Sequence, residues 1–247
     1  MNILVCISKT PDTTAKIAFT EGNTKFDENG VQWIINPYDE WYSLVRAIEI
    51  KEKDPSTQIH LITVGGVEVE PILRKALALG GDEAIRVHLN SNDSYEIAEQ
   101  IAFVVKQGSY DLILTGKETI DYNSSCIGSM LSALLDLPFV SLANHLELNG
   151  NTATLIREIE GGEETNEVQL PMVVSCQKGM AEQRIPNMRG IMAARTKPLK
   201  IVEPTPTSPL TQIKEFNLPP AKTGVKLIAS DQMDELVRLL KEEAKVI

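Results

Sequence analysis

DLILTGKETIDYNSSCIGSMLSALL, residues 111–135, contains a strand, a polar loop and a helix in succession. Residues 111–115 (DLILT) form a short apolar run of the kind buried on both faces of a parallel sheet. Ile127, Leu131 and Leu134 then recur at helical spacing. A strand that passes through a loop into a helix predicts a right-handed crossover unit, and in open α/β sheets the loops at the carboxyl ends of such strands face the ligand.

The same unit recurs on the amino-terminal side. Residues 2–8 (NILVCIS), 58–64 (QIHLITV) and 84–87 (AIRV) read as three further strands. The first is followed by Asn36 as a helix N-cap, Pro37 as the first helical residue, and Asp39 and Glu40 in the first turn, where the helix dipole favours anions. Trp41, Leu44, Val45 and Ile48 supply the apolar face of that helix. Val69, Ile72, Leu73 and Ala76 mark a second helix that stops at Gly80-Gly81. Asp93 and Glu96 have capping-box spacing and open a third, through Ile97, Ile101 and Val105. Four strands alternating with helices predict an α/β fold with a mostly parallel, doubly wound sheet.

Beyond residue 140 the rhythm changes. Residues 145–148 and 152–157 flank Asn149-Gly150-Asn151, a hairpin signal; residues 163–170 and 172–175 add further extended runs. Five prolines fall between Pro204 and Pro220, which predicts an extended C-terminal arm. The arm ends in a helix near 231–245, with Met233, Leu236, Val237 and Leu240 on one face. The domain reading is therefore an α/β domain over 1–198 and an arm with its helix over 199–247. That helix must bury its face on its own domain or on a partner.

Composition narrows the function. The 247 residues carry a net charge of −10, which argues against general binding to nucleic acid or anionic membrane. The three cysteines and three histidines are scattered, so neither a disulfide framework nor a metal motif is visible. Gly116-Lys117 lacks the spacing of a phosphate-cradling P-loop, and no glycine-rich dinucleotide fingerprint or nucleophile elbow appears. The expectation is a site that binds rather than transforms, with no catalytic residue and no metal. No leader-like or membrane-length apolar run is read, so a cytoplasmic protein that is not membrane-inserted is expected.

The strand-end loops give the candidate binding residues: Cys6 after the first strand; Asn36, Pro37, Tyr38 and Asp39 before the first helix; Val64 after the second strand; and Gly116, Lys117, Asp121, Asn123, Ser124, Ser125, Cys126 and Ile127 after the fourth. The last loop runs into a helix start, where free N–H groups and hydroxyls suit a phosphate. The competing reading is that Ser124 and Ser125 only cap the helix. A second candidate lies in 177–197. Lys178, Arg184, Arg189, Arg195, Lys197 and the neighbouring Lys200 face one acid, Glu182, a local balance of +5 in an acidic chain. Within it Ile185, Pro186, Asn187 and Met188 form an apolar tip, which suits docking of an acidic partner, steered by charge and held by a buried anchor.

Taken together, ILVCISKTPDT (3–13), INPYDE (35–40), LRKALALGGDEAIRV (73–87), DLILTGKETID (111–121), REIEGGEET (157–165), LPMVVSC (170–176), IPNMRGIMAARTKP (185–198) and PPAKTGVK (219–226) resemble the electron-transfer flavoprotein β subunit, in the family's order along nearly the whole chain. The resemblance implies a heterodimer with an α subunit that holds most of an FAD. That complex takes electrons from acyl-CoA-type flavin dehydrogenases in fatty acid oxidation and delivers them to a quinone oxidoreductase. It implies a flavodoxin-like β subunit with a buried AMP, or a second FAD in its place in electron-bifurcating members, contacted by the strand-end residues named above. It implies that Ile185, framed by Arg184 and by Pro186 to Arg189, enters a pocket on the dehydrogenase. It implies that Glu158, beside Arg157, orients the mobile flavin domain, and that the arm embraces the α subunit. Asn123 stands where the family usually has a second acid, and Ser125 and Cys126 replace larger amides, so AMP and FAD both remain open. The alternative is a stand-alone adenine-nucleotide-binding protein of the universal stress type.

Overall fold

The computed structural model describes residues 1–221 and 224–247; Lys222 and Thr223, within the PPAKTGVK stretch, lie outside the described residues. Its elements are β1 (Asn2–Cys6), β2 (Lys9–Pro11), β3 (Phe19–Thr20), β4 (Lys25–Phe26), β5 (Trp33–Ile35), α1 (Asp39–Lys53), β6 (Gln58–Val64), a short 3-10 turn (Val67–Val69), α2 (Glu70–Leu79), β7 (Glu83–Val87), α3 (Ser94–Lys106), β8 (Leu112–Gly116), α4 (Ile127–Leu135), β9 (Phe139–Asn149), β10 (Thr152–Ile159), β11 (Gly162–Gln169), β12 (Met172–Cys176), α5 (Met188–Ala194), β13 (Leu199–Val202), α6 (Met233–Leu239) and a π-helical turn (Leu240–Ala244).

Nine strands form one sheet in the order β11-β10-β9-β12-β8-β1-β6-β7-β13. The run from β9 to β13 is parallel, and the hairpin of β10 and β11 is added antiparallel at one end. The α/β, mostly parallel reading with an antiparallel hairpin is thus what the fold contains. Alternation along β1 explains its continuous hydrophobicity. Ile3 and Val5 face one core with α1 and α2, while Leu4 and Cys6 face a second core with α3 and α4. Both faces are dry, so every position must be apolar. Chain order reverses between β1 and β8, which are neighbours although β6 and β7 lie between them in sequence. Ligand crevices open at such a switch point, outside the carboxyl ends of the strands.

Three elements depart from the sequence reading. Helix α1 begins at Asp39, not at Pro37, because Tyr38 has φ +67° and cannot continue a helix. Asn36 therefore caps nothing. Residues 199–202, assigned above to the arm, form β13 and pair with β7 at the sheet edge. Within the basic segment, Asn187 accepts a hydrogen bond from Gly190 N at 2.8 Å and opens α5, a helix not anticipated there.

The arm is tied down at its start. Gln100 of α3 bonds Thr205 and Thr207, Glu96 accepts from Thr207 Oγ1 at 3.0 Å, and Asp93 accepts from Thr211 N and Oγ1 at 2.9 and 2.6 Å. Asp93 caps α3 as expected, accepting from Glu96 N at 2.8 Å. The Glu96 carboxylate, however, serves the arm and does not complete the capping box. Further along, Phe216 stacks on Phe19 with ring centroids 4.9 Å apart. Past that point Leu218, Val225, Leu227, Met233 and Val237 are all exposed.

Candidate functional site

The switch point brings together three strand ends and the amino end of α1. Asn36 is fully buried. Its amide donates to Glu118 O at 2.8 Å and accepts from Ile120 N at 3.1 Å, so it fastens the loop after β8 to the start of α1. Asp39 adds a long bond, accepting from Glu118 N at 3.4 Å. Gly116 is required where β8 meets α1, because a Cβ there would lie 2.7 Å from Glu40 Cγ. Cys6 closes β1 at the same switch point, and burial pushes its thiol far above the ordinary range, so it stays protonated. Val64 ends β6, the neighbour of β1 on the other side.

The loop itself faces outward. Asn123 and Ser125 adopt φ of +51° and +54°, a left-handed conformation unusual for residues other than glycine. Ser125 Oγ donates to Lys117 O at 3.0 Å and Cys126 Sγ lies 2.8 Å from Ser124 O. Neither serine caps α4; its N-cap is Cys126, without a side-chain bond. The helix-cap reading of Ser124 and Ser125 is therefore corrected: the Ser125 hydroxyl is spent within the loop, and the Ser124 hydroxyl makes no hydrogen bond among the described residues. Among the described residues, the N–H groups from Ser124 to Ser129 have no protein acceptor, the first bond of this helix being Met130 N to Cys126 O at 3.0 Å. A left-handed turn that presents unpaired N–H groups at a helix amino end is a concavity for an anionic group. Lys117 lies beside it, its ammonium 3.0 Å from Glu118 and its proton held more tightly by that carboxylate. The donor set fits a phosphate held by backbone. Asp121 and Tyr122 are exposed at the loop's outer edge.

One residue was underestimated in the sequence. Glu40, read as a dipole partner, is 5% exposed and accepts from Ser8 N and Ser8 Oγ at 2.5 and 2.7 Å. It thus pins the turn after β1. Burial, only partly opposed by these bonds, raises its carboxyl to about 8, with Asp39 and Asp121 adding to the rise. An unfolded glutamate releases its proton near 4.5. The folded chain therefore keeps an extra proton between those values, and the stability this contributes is complete below the lower value and is lost as pH rises through the upper one. Glu40→Gln retains both bonds, since Ser8 Oγ can turn to accept from the amide. We expect its unfolding midpoint to match the parent near pH 5 and to exceed it at pH 9 by roughly 2–4 °C, about 1 kcal/mol or more. Parallel midpoint-against-pH curves for the two chains would contradict this. The signal available in sequence was an acid immediately before Trp41 on the buried face.

The basic segment forms a second site. Ile185 is 87% exposed, and Met188 and Met192 are exposed beside it. A cleft of about 490 Å³ adjoins them, lined by Arg74, Lys75, Ala78, Pro186 and Ile191 among others. Two of the six cations are engaged by the fold itself. Arg184 makes two bonds to Glu52, at 2.6 and 3.0 Å, and Lys197 donates to Leu77 O and Gly81 O at 2.9 and 2.5 Å, capping α2. Arg189 has no ion-pair partner among the described residues. On the hairpin, Arg157 is engaged by Glu164 at 2.6 Å and Ser141 at 2.7 Å, while Glu158 is exposed and stands opposite Glu163 across the strand pair. The strand-end residues are thus brought together, and the basic segment, a docking hook in the reading below, and the 157–158 pair lie on separate elements.

Among the described residues, no helix is long and apolar enough to cross a membrane. Residues 23–207 match the family model described as the electron transfer flavoprotein domain. The chain is 39% identical to electron transfer flavoprotein subunit beta of Bacillus subtilis, over all of both chains, and 35% identical to the subunit of that name in Syntrophomonas wolfei, over all of this chain and 98% of that one. It is also 31% identical to the caffeyl-CoA reductase-Etf complex subunit CarD of Acetobacterium woodii, over 98% of this chain and 99% of that one.

Proposed function

The chain belongs to the electron transfer flavoprotein family, as a β subunit, and from that premise we propose that it is the non-catalytic half of a heterodimeric carrier, holding an adenine nucleotide and docking flavin dehydrogenases. The flavin associated with such complexes supplies the redox chemistry. This chain supplies surfaces. The loop over 116–127 offers backbone donors to the phosphate of AMP, or of FAD in a bifurcating complex. The arm offers apolar side chains to an α subunit, and Glu158, unpaired with any cation among the described residues, is free to orient an α-subunit arginine. A quinone oxidoreductase is the acceptor this role implies.

The observation that carries the docking reading is Ile185, almost wholly exposed just ahead of α5 in the most basic stretch of an acidic chain. Isolated exposed apolar residues are ordinary, but one raised among cations beside an apolar cleft has the form of an interface anchor. In the complex with its α subunit, Ile185→Ala should lower the rate of electron uptake from a limiting acyl-CoA dehydrogenase by roughly fivefold or more, the loss of over about 1 kcal/mol typical of a buried anchor. Thermal stability should not move, because the side chain makes little contact with its own fold. Unchanged uptake would reject the docking role.

A further inference from the structure

Ile185 stands clear of the fold, but the backbone that carries it does not. The indole N–H of buried Trp41, on α1, donates to the carbonyl of Arg184 at 3.0 Å, one residue before the anchor. The Lys75 ammonium lies 5.2 Å from the centre of that indole. The Arg184 side chain turns back along α1, bidentate on Glu52 with Glu49 at 3.7 Å. On the far side, Asn187 caps α5, and Gly190 sits so close to α2 that a Cβ would lie 2.2 Å from Ala78 O. Arg74 then closes α5 by donating to Ala194 O and Lys197 O at 2.8 and 2.6 Å. Both flanks of Ile185 and Pro186 are therefore fixed to helices of the domain before any partner arrives.

We propose that Trp41 and Glu52 are positioning residues of the docking hook, and that Arg184 acts through this clamp rather than by gripping the partner. The inference rests on the docking reading above and deepens it. An anchor on a loose loop must be ordered during association, at a cost to affinity; an anchor held in its presented orientation has borne that cost on folding. The charge of Arg184 is neutralised locally, which leaves Arg189, on α5, and Arg195, at its end, to meet an acidic partner.

The test uses the heterodimer, an acyl-CoA dehydrogenase as electron donor, and exchanged charges. Glu52→Arg repels Arg184 from α1 and should raise the KM for the heterodimer about fivefold with kcat unchanged, the scale of a well-formed bidentate surface pair. Adding Arg184→Glu rebuilds the pair with its signs reversed and should return KM to within about twofold of the parent, inside the scatter expected for an exposed pair. If Arg184 instead grips the partner, Glu52→Arg leaves KM unchanged or lower and the double variant stays as impaired as Arg184→Glu alone, which overturns the proposal. Trp41→Phe keeps an aromatic ring without the N–H, and should speed amide exchange over residues 183–187 in the free heterodimer; unchanged exchange removes Trp41 from the clamp. Ile185→Ala separates the two claims. If it raises KM and Glu52→Arg does not, docking stands and the clamp falls; if neither does, both fall.

Discussion

Removal of residues 217–247 should leave a folded domain that no longer retains an α subunit. The cut falls just after Phe216, so the stack on Phe19 and the bonds from Asp93, Glu96 and Gln100 to the arm are kept. What is lost has little to hold it at home: Leu218, Val225, Leu227, Met233 and Val237 are between half and nine-tenths exposed. Burying a large apolar side chain fully is worth about 1.5–3 kcal/mol. Half of that for each of five residues amounts to roughly 5 kcal/mol, a weakening of more than a thousandfold in association. Hydrophobic driving force of this size is not left in water without a covering surface, since exposed apolar patches on this scale mark interfaces. The measurement is co-purification of a tagged α subunit with full-length and truncated chains at micromolar concentration, with the unfolding midpoint of the truncated chain as control. Stoichiometric recovery of the α subunit with the truncated chain would show that the arm is not the main contact.

The residues that were legible in sequence are those governed by burial. NILVC and LILT announce themselves because both faces of a central parallel strand are dry, and Asp93 announces itself through its local cap bond to Glu96 N, although its other oxygen holds Thr211 of the arm. The failures share a cause, which is long-range use of a residue with a strong local preference. Asn36 has the composition of a helix cap, but a loop more than eighty residues away takes both of its amide atoms. Ser125 looks like a cap and instead holds its own loop, in a left-handed backbone that no residue type there announces. β13 is four residues with a lysine among them, between Pro198 and Pro204, and only its pairing with β7 makes it a strand. The charge of the basic segment was visible, but its use was not: a count of +5 cannot say that Arg184 is paired with Glu52 along α1 or that Lys197 caps α2. Patterns fix what is buried. Polar side chains take their partners from the finished fold.

The same loop carries the second large expectation. If the nucleotide phosphate is held by the N–H groups from Ser124 to Ser129, then Ser125→Pro should empty the site while leaving the sheet intact. Proline removes one donor and demands φ near −65°, where Ser125 has +54°. It therefore destroys the turn that aims the remaining donors, and the loop is exposed enough to absorb the change without unfolding the domain. The expected result is a fall of at least about tenfold in adenine nucleotide released on denaturing the purified heterodimer, the loss of several charge-assisted bonds at once. Lys117→Ala should cost far less, a few-fold at most, because its partly exposed ammonium is already paired with Glu118 at 3.0 Å. That ordering, backbone before lysine, separates this cradle from a P-loop, in which the lysine is the main cation on the phosphates. The flavin-to-heterodimer ratio in the same extract distinguishes the occupants: one flavin with AMP describes a simple shuttle, and two flavins without AMP place a second redox centre against this loop. Full nucleotide content in Ser125→Pro, with Lys117→Ala empty, would invert the assignment and make the side chain, not the turn, the phosphate-binding element.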